Sequence, residues 1–289
     1  MGNTVDLHMH STASDGSDSI PLLLENVKKA GLHTFAVTDH DTVAGSLAME
    51  KLVGPELEFH RGIEFSCVSP EGKCHILGYD FDPDHEAFRE ALEEGRRLRA
   101  GKLQKRLDFL RETFGILLTE EEMAWLLSRK SPGKPHLGKL LVNRGLAPDL
   151  TTAINTFLPP CPGGDPGTMG ERATRITADM AIKAILASGG VPIWAHPLGG
   201  EGERHLTEGE FLAQLGELQK SGIRGFECYY SRYPEEERNF LLEKAAERGL
   251  LISGGSDYHG TNKKNIQLGK LGADYPAVEP ERLTVLTAL

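Results

Sequence analysis

The sequence predicts an α/β fold with parallel strands, interrupted in its middle by an all-helical insertion. Three observations lead there. Apolar β-type runs alternate with amphipathic helical stretches over residues 1–85; the periodicity turns helical from about 86 to 158; strand and helix alternate again from about 177 to 254. With 289 residues and 39% hydrophobic content, the chain has enough apolar material for one large α/β barrel or two ordinary domains.

Local chemistry justifies each element. A strand near 4–8 leads to a helix over about 20–30, which starts at Asp18 or Ser19, carries Pro21 in its first turn and ends at Gly31. A strand near 34–38 and a helix over about 43–52 complete a βαβα unit. Residues 58–68 and 74–81 read as two strands joined by the turn Pro70-Glu71-Gly72-Lys73. In the middle, Leu103, Leu107, Leu110 and Phe114 form one helical stripe, and a further helix is expected near 119–129. Pro159-Pro160-Cys161-Pro162-Gly163-Gly164 opens a linker over 159–170. Helix and strand then follow in turn near 177–188, 190–195, 208–220, 223–228, 234–248 and 250–254.

Residues able to bind metal recur along the chain, most of them where these runs end, with Glu64 and His75 within the hairpin. They are His8, His10, Asp15, His40, Glu64, His75, His196, Asp257 and His259. If the runs are neighbouring strands, such positions converge on one rim and make a multinuclear metal site. In Val5-Asp6-Leu7-His8-Met9-His10, strand alternation puts both imidazoles on the same face, as chelation of one ion requires. Asp39-His40-Asp41, Ala195-His196-Pro197 and Ser256-Asp257-Tyr258-His259 repeat the arrangement at other strand ends. His33, in a turn, and His60 and His85, in charged surroundings, read instead as solvated surface residues; His136 and His205 are left open.

Composition excludes several function classes. No apolar run approaches the roughly 20 residues that cross a bilayer, and the first residues carry neither a basic region nor a signal-type stretch, so a cytoplasmic location without membrane partner is expected. Four cysteines without a CxxC pair fit a reducing compartment, and alternation turns Cys74 away from the face His75 uses, making it a buried thiol. A formal net charge of -10 argues against a stable long nucleic-acid partner. Residues 86–147 run the other way, with 13 Lys and Arg against 9 Asp and Glu.

Taken together, the HxH opening, Thr38-Asp39-His40-Asp41, the mid-chain Glu64 and His75, Ala195-His196-Pro197 and Gly255-Ser256-Asp257-Tyr258-His259-Gly260 resemble the PHP (polymerase and histidinol phosphatase) family. The resemblance implies a distorted (β/α)7 barrel over 1–85 and 171–289, with the insertion 86–170 covering a trinuclear centre at the C-terminal ends of the strands. It further implies that His8, His10 and Asp257 hold one ion, that Glu64 bridges it to a second held by His75 and His196, and that Asp15, His40 and His259 hold the third. Pro135-His136-Leu137-Gly138-Lys139-Leu140-Leu141 and Gly225-Phe226-Glu227-Cys228-Tyr229-Tyr230-Ser231 resemble a subgroup of small phosphoesterases: nucleotide phosphatases, an exoribonuclease and a cyclic sugar-phosphate hydrolase.

The ligand inventory suits phosphate chemistry. Phosphate monoester hydrolysis needs acceleration of up to about 10^21-fold, whereas a lone acid or base supplies about 10^2 to 10^4. Two or three divalent ions can supply more, by binding nonbridging oxygens and by generating a bridging hydroxide, here held by Glu64 and neighbouring ligands. Imidazole and carboxylate ligation without thiolate suits Mn, Fe or Zn. The expected substrate is a small nucleotide or sugar phosphate, mono- or cyclic/diester, bound by Arg99, Lys134, His136, Arg232 and Lys263; a general acid is not assigned, His205 being one candidate. Arg99, Lys102 and Arg106 share one helical face, and Lys134 and His136 open a helix whose N-terminus attracts anions. Asp39 and Asp41 read as ligand orienters, with helix capping the equal alternative for Asp41. Tyr229 or Tyr230, but not both, could stack on a base. The rivals are a 5'-3' exonuclease on short oligonucleotides, a noncatalytic metal-binding module, and an amidohydrolase.

Overall fold

The computed structural model describes residues 4–158, 174–200, 203–273 and 278–289. Seven strands follow one another round a sheet: β1 (Thr4–Asp6), β2 (Leu32–Val37), β3 (Glu58–Ser69), β4 (Gly72–Tyr79), β6 (Val191–Ala195), β7 (Gly225–Tyr230) and β8 (Leu251–Gly255), with the two-residue β5 (Ile176–Thr177) attached to β3. The tight turn between β3 and β4 forces β4 to run backwards, so β3–β4 and β4–β6 are antiparallel while the remaining neighbours are parallel. The two ends of the sheet meet. The N–H of Leu7 donates to the carbonyl of Gly254 (3.2 Å), that of Asp257 to His8 (2.8 Å) and that of His10 to Tyr258 (2.8 Å). This closure, with one reversed strand, is the distorted seven-stranded barrel expected from the sequence.

Helices α1 (Ile20–Lys29), α2 (Ala44–Glu50), α7 (Ala178–Ala187), α8 (Glu208–Ser221) and α9 (Glu235–Arg248) return the chain between strands. Strands covered in this way bury both faces, which is why they read as continuous apolar runs. Phe65, Ile76, Tyr79, Trp194 and Phe226 sit in the core, and the Trp194 indole stacks on Phe211 at 5.3 Å. A smaller cluster of Met9, Leu23, Val27 and Phe35 fills the space under α1.

Between β4 and β5 lie α3 (Glu86–Phe114), α4 (Glu120–Leu127), α5 (Lys134–Asn143) and α6 (Leu150–Phe157). They bury a separate cluster that includes Leu103, Leu110, Leu126, Leu137 and Leu141. The long α3 stops at Gly115, whose φ of 65° suits a residue without Cβ. Thr119 and Glu122 cap α4 reciprocally, and Glu122 also pairs with Arg144 just past α5. The Arg144 guanidinium and the Thr119 N–H hold the Glu122 carboxyl at about 2, down from 4.5. A depressed carboxylate stabilises fully above its unfolded value and fades as pH falls towards the folded one. The stability gap between wild type and Glu122→Gln, measured by urea unfolding, is therefore expected to shrink between pH 4.5 and about 2.

Three local expectations are corrected. His33 lies exposed within β2 rather than in a turn. His60 is buried in β3, its Nδ1 2.8 Å from Asp80 Oδ2, because Asp80 adopts a φ of 47° that brings its carboxylate back over β3. His85 is half-buried at the N-terminus of α3 rather than solvated. The linker expected at 159–170 lies outside the described residues.

Candidate metal centre

Past β1 the chain stays extended, and alternation divides it. Leu7 and Met9 enter the apolar clusters, while His8 and His10 turn to the other side with their Nε2 atoms 3.2 Å apart. Glu64, fully buried on β3, is the hub. Its Oε2 lies 3.3 Å from His8 Nε2, 3.2 Å from His10 Nε2 and 3.0 Å from His40 Nδ1. Its Oε1 lies 2.8 Å from His75 Nδ1 and 3.1 Å from His196 Nε2. Asp257 Oδ1 is 3.3 Å from His10, and Asp15 Oδ1 is 3.3 Å from His259 Nε2. The structure thus brings together all nine residues singled out in the sequence.

Three groups have ligand atoms within 4.8 Å of one another: His8, His10 and Asp257; His10, Asp15, His40 and His259; and His40, Glu64 and His75. The first matches the expected set. In the other two the partition differs, since His10 joins Asp15 and His40 joins Glu64, while His196 approaches through Glu64.

Two of the nine sit on strained backbone. His196 has φ 30° and Asp257 φ 59°, where the chain swings off the ends of β6 and β8, and such conformations cost of order 1–3 kcal/mol each. Asp39 accepts hydrogen bonds from the N–H and hydroxyl of both Ser11 and Ser14, which fastens the loop carrying Asp15. Asp41 accepts from the Ser66 N–H (2.8 Å) and from Arg99 (2.6 Å), joining α3 to β3. Helix capping is not its role, as the N-cap of α2 is Val43 and no side chain caps the helix.

Burial disfavours charge on His10, but Asp257 and Glu64 overcome it and lift the imidazole to about 9. His196 likewise rises, against burial, to about 10 beside Glu203 and Glu64. Glu64, Asp15 and Asp257 are buried, yet facing imidazoles and, for Asp257, Lys263 hold them well below the carboxylate range. The cluster is therefore a sink for positive charge. His40 Nδ1, Glu64 Oε2 and Asp15 Oδ1 are buried and, though 3.0–3.3 Å from opposing ring or carboxylate atoms, form no hydrogen bond of good geometry. Buried lone pairs left without a well-aligned donor are costly unless a cation takes them up, and imidazole with carboxylate is a fitting donor set for a divalent metal. Cys74 faces the core, as expected.

A cavity of about 140 Å³ opens on this cluster. Asp15, His40 and His75 of the cluster line it, together with Asp41 and five cations: Arg99, Lys102, Arg106, Lys134 and Arg175. Of the expected substrate residues, Arg99 and Lys134 are thus in place. His136 does not line the cavity; its Nδ1 accepts from the Gly133 N–H (3.1 Å) at the start of α5. Arg232 is exposed just past β7, away from the cavity lining. Lys263 donates to Asp257 Oδ2 at 2.7 Å rather than facing the cavity. His205 pairs with Glu237 at the surface and is no candidate acid. Neither Tyr229 nor Tyr230 can stack on a base, both being buried.

Sequence reasoning missed Arg175, whose guanidinium lies 3.1 Å from His75 Nε2. It also missed Glu203, 3.3 Å from His196 Nδ1. No local pattern marks either. Glu227, the single charged residue in the apolar run of β7, did carry a signal.

Comparison with known proteins fits this geometry. The PHP domain model matches residues 6–120. A 3',5'-nucleoside bisphosphate phosphatase of Chromobacterium violaceum is 27% identical over 270 residues, 92% of this chain and 90% of that one. A 5'-3' exoribonuclease of Haemophilus influenzae is 31% identical over 264 residues, covering 90% and 91%. A phosphoribosyl 1,2-cyclic phosphate 1,2-diphosphodiesterase of Eggerthella lenta is 30% identical over 261 residues, covering 88% and 94%. Among solved structures, a candidate metal-dependent phosphoesterase from Bifidobacterium adolescentis superposes with a TM-score of 0.75 at 27% identity, covering 93% and 92%.

Proposed function

The chain belongs to the PHP family and is a metal-dependent phosphoesterase; from that premise we propose that it releases phosphate from a small nucleotide or sugar phosphate. The observation that carries this reading is the cavity in which five cations face the imidazole and carboxylate cluster. Its volume of about 140 Å³, below the ~300 Å³ of ordinary ligand pockets, suits a phosphoryl group and the ring bearing it.

We read His8, His10, Asp15, His40, Glu64, His75, His196, Asp257 and His259 as ligands of two or three divalent ions, Mn, Fe or Zn. When bound, such ions polarise the phosphoryl group and make a water acidic enough to serve as nucleophile. The chain's own residues do the rest. Arg99, fixed by Asp41, presents its guanidinium to nonbridging oxygens, and Lys134 and Arg175 complete a positive wall. Helices α3 to α6, within the division 86–170, act as a cover that carries Arg99 and Lys134 of this wall and limits access of bulk solvent. Lys102 and Arg106 reach the substrate away from the reacting atoms, so Lys102→Ala and Arg106→Ala are expected to raise KM by about tenfold with kcat little changed.

The direct test is phosphate release from a library of nucleotides, sugar phosphates, short oligonucleotides and amides, run with Mn²⁺ and again with chelator. Turnover of small phosphoesters that disappears on chelation supports the proposal; turnover of amides alone overturns it. Elemental analysis is expected to find at least two ions per chain, and fewer would favour a noncatalytic module. The 31% identity to an exoribonuclease favours, as a second reading, 5'-to-3' trimming of short oligonucleotides, which the same library separates. No described helix is long and apolar enough to cross a membrane. The buried, unbridged Cys67, Cys74 and Cys228 support a reducing, cytoplasmic setting.

A further inference from the structure

β7 supplies none of the nine residues read as ligands, although it runs between β6 and β8, whose ends supply His196 and Asp257. It nevertheless touches three of the nine. Glu227 is completely buried, and its two carboxylate oxygens go to different elements: Oε1 accepts from His8 Nδ1 at 3.0 Å, and Oε2 accepts from the backbone N–H of His196 at 2.7 Å. Tyr230, also completely buried, donates its hydroxyl to Asp257 Oδ2 at 2.8 Å.

Strict alternation would put Glu227 and Tyr230, three apart, on opposite faces of the strand. The pairing with β8 removes the conflict. Glu227 stands opposite Ser253 and Tyr229 opposite Gly254, so Cys228 is an extra residue, and this bulge lets both polar side chains reach the cluster.

We propose that Glu227 and Tyr230 are the positioning residues of the metal centre, Glu227 fixing His8 and His196, and Tyr230 fixing Asp257. The proposal rests on the reading of those three as ligands. An ionised carboxylate only accepts, so Glu227 requires the proton of His8 on Nδ1 and leaves the lone pair of Nε2 facing His10, Glu64 and Asp257. The same carboxylate holds the His196 backbone at its φ of 30°, from which the ring turns Nε2 towards Glu64. On Asp257, Tyr230 and Lys263 both occupy Oδ2, which leaves Oδ1 as the oxygen facing His8 and His10. Partners that orient a ligand in this way typically contribute 10- to 100-fold in metal affinity.

The test is titration of metal-stripped full-length protein with Mn²⁺ by calorimetry, alongside thermal melts of the stripped forms. Tyr230→Phe keeps the ring and its packing and removes only the hydroxyl; Glu227→Gln keeps the shape but presents an amide hydrogen to one of two donors. Each is expected to weaken Mn²⁺ binding about 10- to 100-fold, with the melting temperature of stripped Tyr230→Phe unchanged. Wild-type affinity in both variants overturns the positioning role while leaving the ligand reading intact, and so does a lowered melting temperature with wild-type affinity, which marks a packing role. A stripped wild type that takes up no Mn²⁺ overturns the ligand reading and this proposal with it.

Discussion

Glu64→Gln is expected to reduce phosphoester turnover by about 10^3-fold or more, equivalent to ~4 kcal/mol of transition-state stabilisation, while the folded barrel persists. Five imidazoles lie within 3.3 Å of this one carboxylate, reached from β1, β2, β4 and β6 and their continuations. Glutamine preserves the volume but loses the charge and puts an amide N–H₂ where a lone pair faces two of those rings. Metal content should fall with activity. Stability of the stripped protein should fall somewhat too, because buried His10 and His196 lose a partner for their charge, although the fold survives. Elemental analysis, kcat/KM on the best phosphoester and a thermal melt in chelator check the three parts. Full metal occupancy with undiminished turnover would remove Glu64 from the centre.

Gly255→Ala is the second large effect, and it acts through backbone. Gly255 ends β8 directly against His8; a Cβ there would overlap the His8 Cβ and lie 2.6 Å from its N and 2.8 Å from its Cα. Those atoms cannot step aside without breaking the hydrogen bonds Leu7 to Gly254 and Asp257 to His8 that close the barrel. Overpacking of this kind costs typically 1–3 kcal/mol, which in a chain of this size lowers the melting temperature by roughly 3–10 °C. His8 moves with the strand, so metal content should drop as well. A variant that melts and binds metal like wild type would show that β8 and the His8 segment are less tightly joined than the geometry states.

Much of this was legible in the sequence. The helix stop at Gly31 lies in the left-handed region that suits it, and the β3–β4 hairpin forms at its turn. Such features depend on a few adjacent residues, and local chemistry decides them. The placement of His8 and His10 on one face was legible for the same reason, since a period of two is a property of the extended chain. What failed to show depends on distant partners. His60 reads as solvated until Asp80, just past the neighbouring strand β4, folds over it. His136 reads as a phosphate binder from its place at a helix start, yet in the fold it caps that helix through the Gly133 N–H and does not line the cavity. Arg175 follows a stretch without any pattern and acquires meaning only from its proximity to His75. The bulge at Cys228 is invisible in a run that is buried throughout.

The amino-acid order by itself determined the alternation of strand and helix, the apolar faces, and which side chains are chemically able to ligate a metal. Only the closed barrel decided which of those meet, that His10 stands with Asp15 and His40 as well as with His8, and that Glu64 is the point they share. The reason is physical: spacing along a chain fixes direction within one element, whereas distances between elements are set by the long-range hydrogen bonds and packing that join residue 8 to residue 257.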